Sequence, residues 1–243
     1  MRRRALVAAL MAGLALAGSG EAKPKRPPMR YASPAAIVAA DVALSQLAQR
    51  KGQWAALRET ATEDAVLFVP QPVIARNWLK AQAASLQDPG TPANAWQSTQ
   101  VWLSCDGSLA VSYGNTRMAA GGPGYYTTVW QRQKRGDYSW VMTQSDGLAA
   151  AMATPDMIGA GVATCDRSAR PATPGAPLPP PPAFPAGTRG GWSEDRTLSW
   201  SVAVDATCGR TLTVSLSHGA GKPMEPVLQK SIAGSAGTAC SAS

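Results

Sequence analysis

Residues 171–187 read PATPGAPLPPPPAFPAG, and no helix or central strand can run through them. Each proline fixes its own φ, lacks an N–H donor and biases the residue before it towards extended backbone. The stretch reads as a stiff spacer, rising about 3.1 Å per residue where it is polyproline II. The linker, taken as 167–189, divides the chain into a larger module at 31–166 and a small one at 190–243.

The beginning of the chain bounds where it works. Arg2, Arg3 and Arg4 precede an apolar run from Ala5 to Ala17. Small residues follow, and both Ala15/Ala17 and Gly20/Ala22 fit a signal-peptidase site. Residues 1–22 therefore read as a secretory signal peptide cleaved after Ala22. The run falls short of the roughly 20 residues that cross a bilayer. Lys23, Lys25, Arg26 and Arg30 resist translocation, so an uncleaved anchor is the alternative. A periplasmic or secreted chain with no stable membrane insertion is expected. In that setting the proline run suits a spacer better than an SH3 ligand.

Export makes the cysteines readable. Cys105, Cys165, Cys208 and Cys240 are even in number, which suggests two disulfides. Pairing Cys105 with Cys165 and Cys208 with Cys240 closes a loop within each module. A Cys165–Cys208 bridge would instead staple the modules together. No C-x-x-C occurs, and the single histidine, His218, lies in the small module. His-rich metal sites and Ser-His-Asp triads are therefore excluded, and no metal or cofactor is expected. The net charge is +8, and beyond the Lys23–Arg30 cluster the basic residues are scattered without interleaved aromatics, which argues against nucleic acid as a partner.

Within the larger module, Ser33, Pro34 and Gly52 bracket a helix, with Ile37, Asp41, Leu44 and Ala48 on one stripe. A short helix is expected at about Trp54–Thr62, a strand at Ala65–Val69, and a third helix at Ala75–Ser85. An antiparallel meander follows: Trp96–Cys105, a turn at Asp106–Gly107, Leu109–Arg117, Tyr125–Lys134 and Tyr138–Asp146. Helices followed by strands make an α+β pattern. In the small module, Leu198–Val204 and Leu212–Leu216 alternate across a turn at Asp205–Arg210. A lone hairpin is not stable in water. Its apolar face must pack on the larger module, on a partner, or on the segment that Cys240 ties back.

Three stretches resemble a known family. They are Ala40-Asp41-Val42-Ala43-Leu44 with Gly52 and Trp54, Glu63 to Pro70, and Gly124 to Arg132 followed by Tyr138 to Gly147. Together, over about 33–149, they resemble the nuclear-transport-factor-2-like superfamily, and within it the SnoaL-like exported domains. The resemblance implies a cone: a curved antiparallel sheet wrapped round the first helix, with a pocket at its open end. It implies either binding of a small molecule or proton-transfer chemistry of the isomerase, cyclase or hydratase kind.

A pocket base needs burial to raise its pKa and a proton within reach. Asp41, on the apolar stripe of the first helix, is one candidate. Asp146 is the other, because alternation puts Trp140, Met142, Gln144 and Asp146 on one side of the last strand. Both acids also fit structural duties, Asp41 as a paired buried group and Asp146 as a turn residue. Tyr113, Tyr126, Trp130 and Gln144 are candidate ligand contacts, and Trp78 a candidate cover for the pocket mouth. Aromatics at this spacing equally suit a solid core. With no Asp–His dyad and no alignable acid pair, the favoured expectation is an exported cone that binds a small, partly apolar ligand or a partner. The alternatives are an enzyme using Asp41 or Asp146, and an interaction protein whose sheet dimerises while its hairpin docks elsewhere. N-terminal sequencing of the exported protein is expected to begin at Lys23; Met1 at the terminus would establish the anchor instead.

Overall fold

The computed structural model describes residues 32–83, 93–165, 178, 180–219, 222–234 and 240. The signal-peptide reading, the basic run after it and linker residues 167–177 and 179 lie outside these residues. The chain opens with α1 (Pro34–Lys51) and α2 (Gln53–Thr60). Pro34 occupies the first turn of α1, Arg50 and Lys51 sit at its negative dipole end, and Gly52 leaves it at φ 87°. The buried side chains of α1 are Ile37, Asp41, Leu44 and Ala48, which is the expected stripe.

Next come β1 (Ala61–Phe68), β2 (Pro72–Ile74) and α3 (Ala75–Ala81), then β3 (Ala95–Leu103), β4 (Leu109–Arg117), β5 (Pro123–Arg132), β6 (Tyr138–Gly147) and β7 (Gly159–Val162). The seven strands form one sheet in the order β2-β1-β6-β5-β4-β3-β7. The sheet is mixed rather than purely antiparallel: β1 runs parallel to β6, and β7 parallel to β3. β1 also begins four residues before the expected strand, and Glu63 and Asp64 lie exposed on it.

The sheet curves because it carries bulges. One interrupts the β3–β4 register between Ser98 and Gln100, and another the β5–β6 register between Val129 and Trp130. An extra residue reverses which side chains face inward. On β3, Trp96 and Ser98 point towards α1 before the bulge, and Val101 and Leu103 after it. On β6, Trp140 faces inward while Met142 faces outward. The inner core joins Ile37, Leu44, Leu57, Leu79, Val101, Leu103, Trp130 and Trp140. The cone implied by the resemblance is the architecture observed.

The small module is more than a hairpin. β8 (Thr188–Trp192), β9 (Leu198–Val204), β10 (Arg210–Leu216) and β11 (Glu225–Ile232) form a four-stranded antiparallel sheet. This sheet packs on the outer face of the cone. Trp102, Leu109, Val111, Val129 and Met142 meet Leu198, Trp200, Val202, Leu212, Val214, Leu216 and Leu228 in one core. Two turns latch across the junction. The Cys105 N–H donates to Thr197 Oγ1 at 2.8 Å, the Asp106 N–H to Asp195 Oδ2 at 2.8 Å, and the Glu194 N–H to Ser108 Oγ at 2.9 Å.

Of the places open to the hairpin, it takes the larger module. The outer apolar side chains of the cone are covered from within the chain by the second sheet. The disulfides are Cys105–Cys165 and Cys208–Cys240, as expected. Closing loops of 60 and 32 residues stabilises by about 4 kcal/mol each on the chain-entropy model. No helix among the described residues is long and apolar enough to cross a membrane.

A chain truncated after Cys165 keeps its own disulfide and loses the covering sheet. It is expected to bind a hydrophobic dye and to self-associate on size exclusion, whereas the full chain does neither.

Candidate functional site

The inner face of the cone converges on one carboxylate. Asp41 is 2% exposed. Its Oδ2 accepts from Ser98 Oγ on β3 at 2.5 Å and from the Tyr126 hydroxyl on β5. Its Oδ1 accepts from Ser112 Oγ on β4 at 3.2 Å. Ser112 in turn accepts from Trp130 Nε1 at 2.9 Å. One helical acid thus ties α1 to three adjacent strands. Gly114 makes the approach possible: it lies opposite both Ser98 and Tyr126, and a Cβ there would fall 2.0 Å from the Gln97 carbonyl oxygen.

The electrostatics follow from burial. Desolvation raises the pKa of Asp41 above 3.8, and the hydrogen bonds from Ser98, Tyr126 and Ser112 pull it partly back. Burial, together with the Asp41 charge, pushes Tyr126 far above its ordinary value, so its hydroxyl stays a donor.

Beside this knot lies a cavity of about 140 Å³. Its apolar wall includes Leu57, Leu67, Phe68, Trp54, Trp96 and Tyr126. Thr128, Thr143 and Ser145 add hydroxyls, and Gln144 and Arg210 close one side. Trp96 leans on Tyr126, with ring centroids 6.2 Å apart. The cavity opens where β6 parts from β1: their pairing ends at Val66 and Met142, and Leu67 and Phe68 pair with β2 instead. Arg210, the first residue of β10, reaches this gap from the second sheet. Its Cζ sits 4.8 Å from the Phe68 ring centroid, and its Nε donates to Gln144 Oε1 at 3.1 Å.

The structure sorts the expected residues. Tyr126 and Gln144 line the cavity. Asp41 does not; it lies behind Tyr126, fully engaged. Trp130 is inward but solid core, 1% exposed. Trp78 packs edge-on against Trp54 with centroids 6.2 Å apart, so Trp54 forms the wall and Trp78 supports it. Tyr113 faces outward, against Trp102, Tyr125 and Lys230. Asp146 is outside as well. It accepts from the Gly147 N–H at 2.9 Å and acts electrostatically on Tyr125 and Arg210. The β6 bulge is the reason, because it moves Met142, Gln144 and Asp146 off the face that Trp140 occupies. Gln144 still borders the cavity only because β6 has an open edge there.

Sequence reasoning missed Trp54, Trp96, Phe68, Ser98, Ser112 and Arg210 as site residues. The tryptophans were detectable as aromatics flanking the first helix and first long strand. Arg210 carried no signal, since it belongs to a separate module. His218 pairs with Glu225 at 3.0 Å, away from this cavity. No group of three His, Cys, Asp or Glu among the described residues could hold a metal.

No protein-family model matches the sequence, and no characterised protein matches it significantly. Among solved structures the chain is similar to a candidate ketosteroid isomerase from Parabacteroides distasonis. The two are 14% identical, covering 50% of this chain and 97% of that one, with a TM-score of 0.39. A candidate ketosteroid isomerase from Shewanella frigidimarina is 15% identical, covering 43% and 90%, with a TM-score of 0.32. A Catenulispora acidiphila protein solved in complex with S-DNPA is 15% identical, covering 46% and 90%, with a TM-score of 0.35. Ligand and chemistry have to be read from the cavity itself.

The raised pKa of Asp41 has a sign. A carboxyl that binds its proton more tightly when folded contributes stability below about pH 3.8, and that contribution is lost as pH rises through the folded pKa. Asp41→Asn removes this titration. The stability of the wild type relative to the Asn variant is expected to fall as pH rises above about 3.8, measured by urea denaturation.

Proposed function

We propose that this is an exported cone-fold protein that holds a small, partly apolar molecule in its interior cavity and does not transform it. The observation that carries this reading is the division of labour inside the cone. Aromatic and hydroxyl side chains line the space, while Asp41, the one buried acid among the described residues, is sealed behind Tyr126 and spends its lone pairs on three hydroxyl donors. A general base must reach the proton it removes. Asp41 lies behind the cavity wall, and Asp146 is on the other face of the sheet. Cavities of about 150 Å³ with apolar walls accept molecules the size of benzene. Small-ligand sites commonly have this form, apolar walls with a few placed polar groups. Export is supported by the signal-like residues 1–22 and agrees with the two disulfides.

Trp54 and Trp96 on the wall provide an optical test. Titration with benzyl alcohol is expected to give a saturable change in tryptophan fluorescence and a rise in Tm. Binding at about 100 times Kd adds about 2.7 kcal/mol of stability. A linear, unsaturable response with no rise in Tm would sink the binding reading.

A further inference from the structure

Resting on that reading, we infer that the cavity selects a small aromatic carboxylate, received by Arg210 and Gln144. Among the described residues that line the cavity, Arg210 is the one with a charged side chain. It is supplied by the second sheet, so this feature belongs to the two-module chain and not to the cone alone. Desolvation lowers its pKa, which means that the fold places a guanidinium where water solvates it poorly. A packing role alone would be served by an uncharged side chain of the same length, whereas a half-buried cation is compensated by an anion.

The geometry leaves room for that anion. Arg210 stacks on Phe68 and uses Nε on Gln144 Oε1, and no hydrogen bond occupies its two terminal nitrogens among the described residues. Those nitrogens form the fork that matches a carboxylate. Gln144 is 5% exposed, and the bond from Arg210 fixes its amide. Its Nε2 is buried and has no partner. A buried amide N–H without an acceptor costs free energy, and it becomes satisfied when a ligand oxygen arrives. Asp146 acts on Arg210 electrostatically but makes no ion pair with it, so it tempers the positive charge without occupying the fork. The carboxylate would lie at the gap between β1 and β6. The ring would enter the space bounded by Trp54, Phe68, Trp96 and Tyr126, whose volume limits it to about one ring.

The experiment compares benzoate with benzyl alcohol, the same ring without the charge, by calorimetry on the full chain. The wild type is expected to bind benzoate about tenfold or more tightly than benzyl alcohol, the scale of a charge-assisted hydrogen bond. Arg210→Met is expected to abolish that preference, weakening benzoate about tenfold or more beyond any change in benzyl alcohol. Gln144→Met, which removes the amide donor and keeps the guanidinium, is expected to weaken benzoate severalfold and benzyl alcohol little; it decides the matter if Arg210→Met does not fold. Equal affinities in the wild type overturn this inference and leave the binding reading standing. So does a benzoate preference that survives both substitutions. Binding of neither probe overturns the binding reading and the inference together.

Discussion

The carboxylate of Asp41 is the constraint on which the cone depends. A charge taken out of water costs several kcal/mol unless its lone pairs are occupied. Here they are occupied by hydroxyls from three consecutive strands, so the helix can sit in only one position against the sheet. Ser112 extends the knot to Trp130, and the missing Cβ of Gly114 lets β3 and β4 close around it. The Tyr126 hydroxyl is turned towards the acid, so what this residue shows the cavity is mostly its ring. The buried carboxyl of Asp41 thereby positions the helix, sets the depth of the cone and decides the polarity of one wall.

The second constraint lies on the other side of the same sheet. Strands that carry Trp102, Val111, Val129 and Met142 outward cannot leave them in water, and the second sheet supplies the cover. Docking that sheet by its apolar face also fixes where its polar margin falls. Lys230 comes to rest over Tyr113 and Tyr125, and Arg210 over Phe68. The hydrophobic contact that stabilises the pair of sheets is therefore what delivers a cation to the cavity, and stability and site chemistry share one interface.

Much of this was legible residue by residue. The stripe Ile37, Asp41, Leu44, Ala48 identifies α1 and its buried acid because helical periodicity is local. The hairpins at Asp106–Gly107 and Asp205–Arg210 announce themselves by turn chemistry. The inward or outward direction of later residues was not legible. A bulge adds one residue to one strand, and alternation counted from Trp140 then puts Gln144 and Asp146 on the wrong face. The parallel partners β1 and β6 are about seventy residues apart in the chain, and nothing local signals such a pairing.

By itself, the sequence determined the opening helix, the disulfide-compatible cysteines and the poverty of histidine that removes whole classes of chemistry. These follow from composition and short-range periodicity, which every chain expresses directly. Only the tertiary structure decided that Asp41 is sealed, that Tyr113 and Asp146 face outward, and that Arg210 meets Gln144 across 66 positions of sequence. Those outcomes depend on bulges and on sheet-to-sheet packing. Both are set by the burial of many side chains at once, and no single stretch of sequence encodes them.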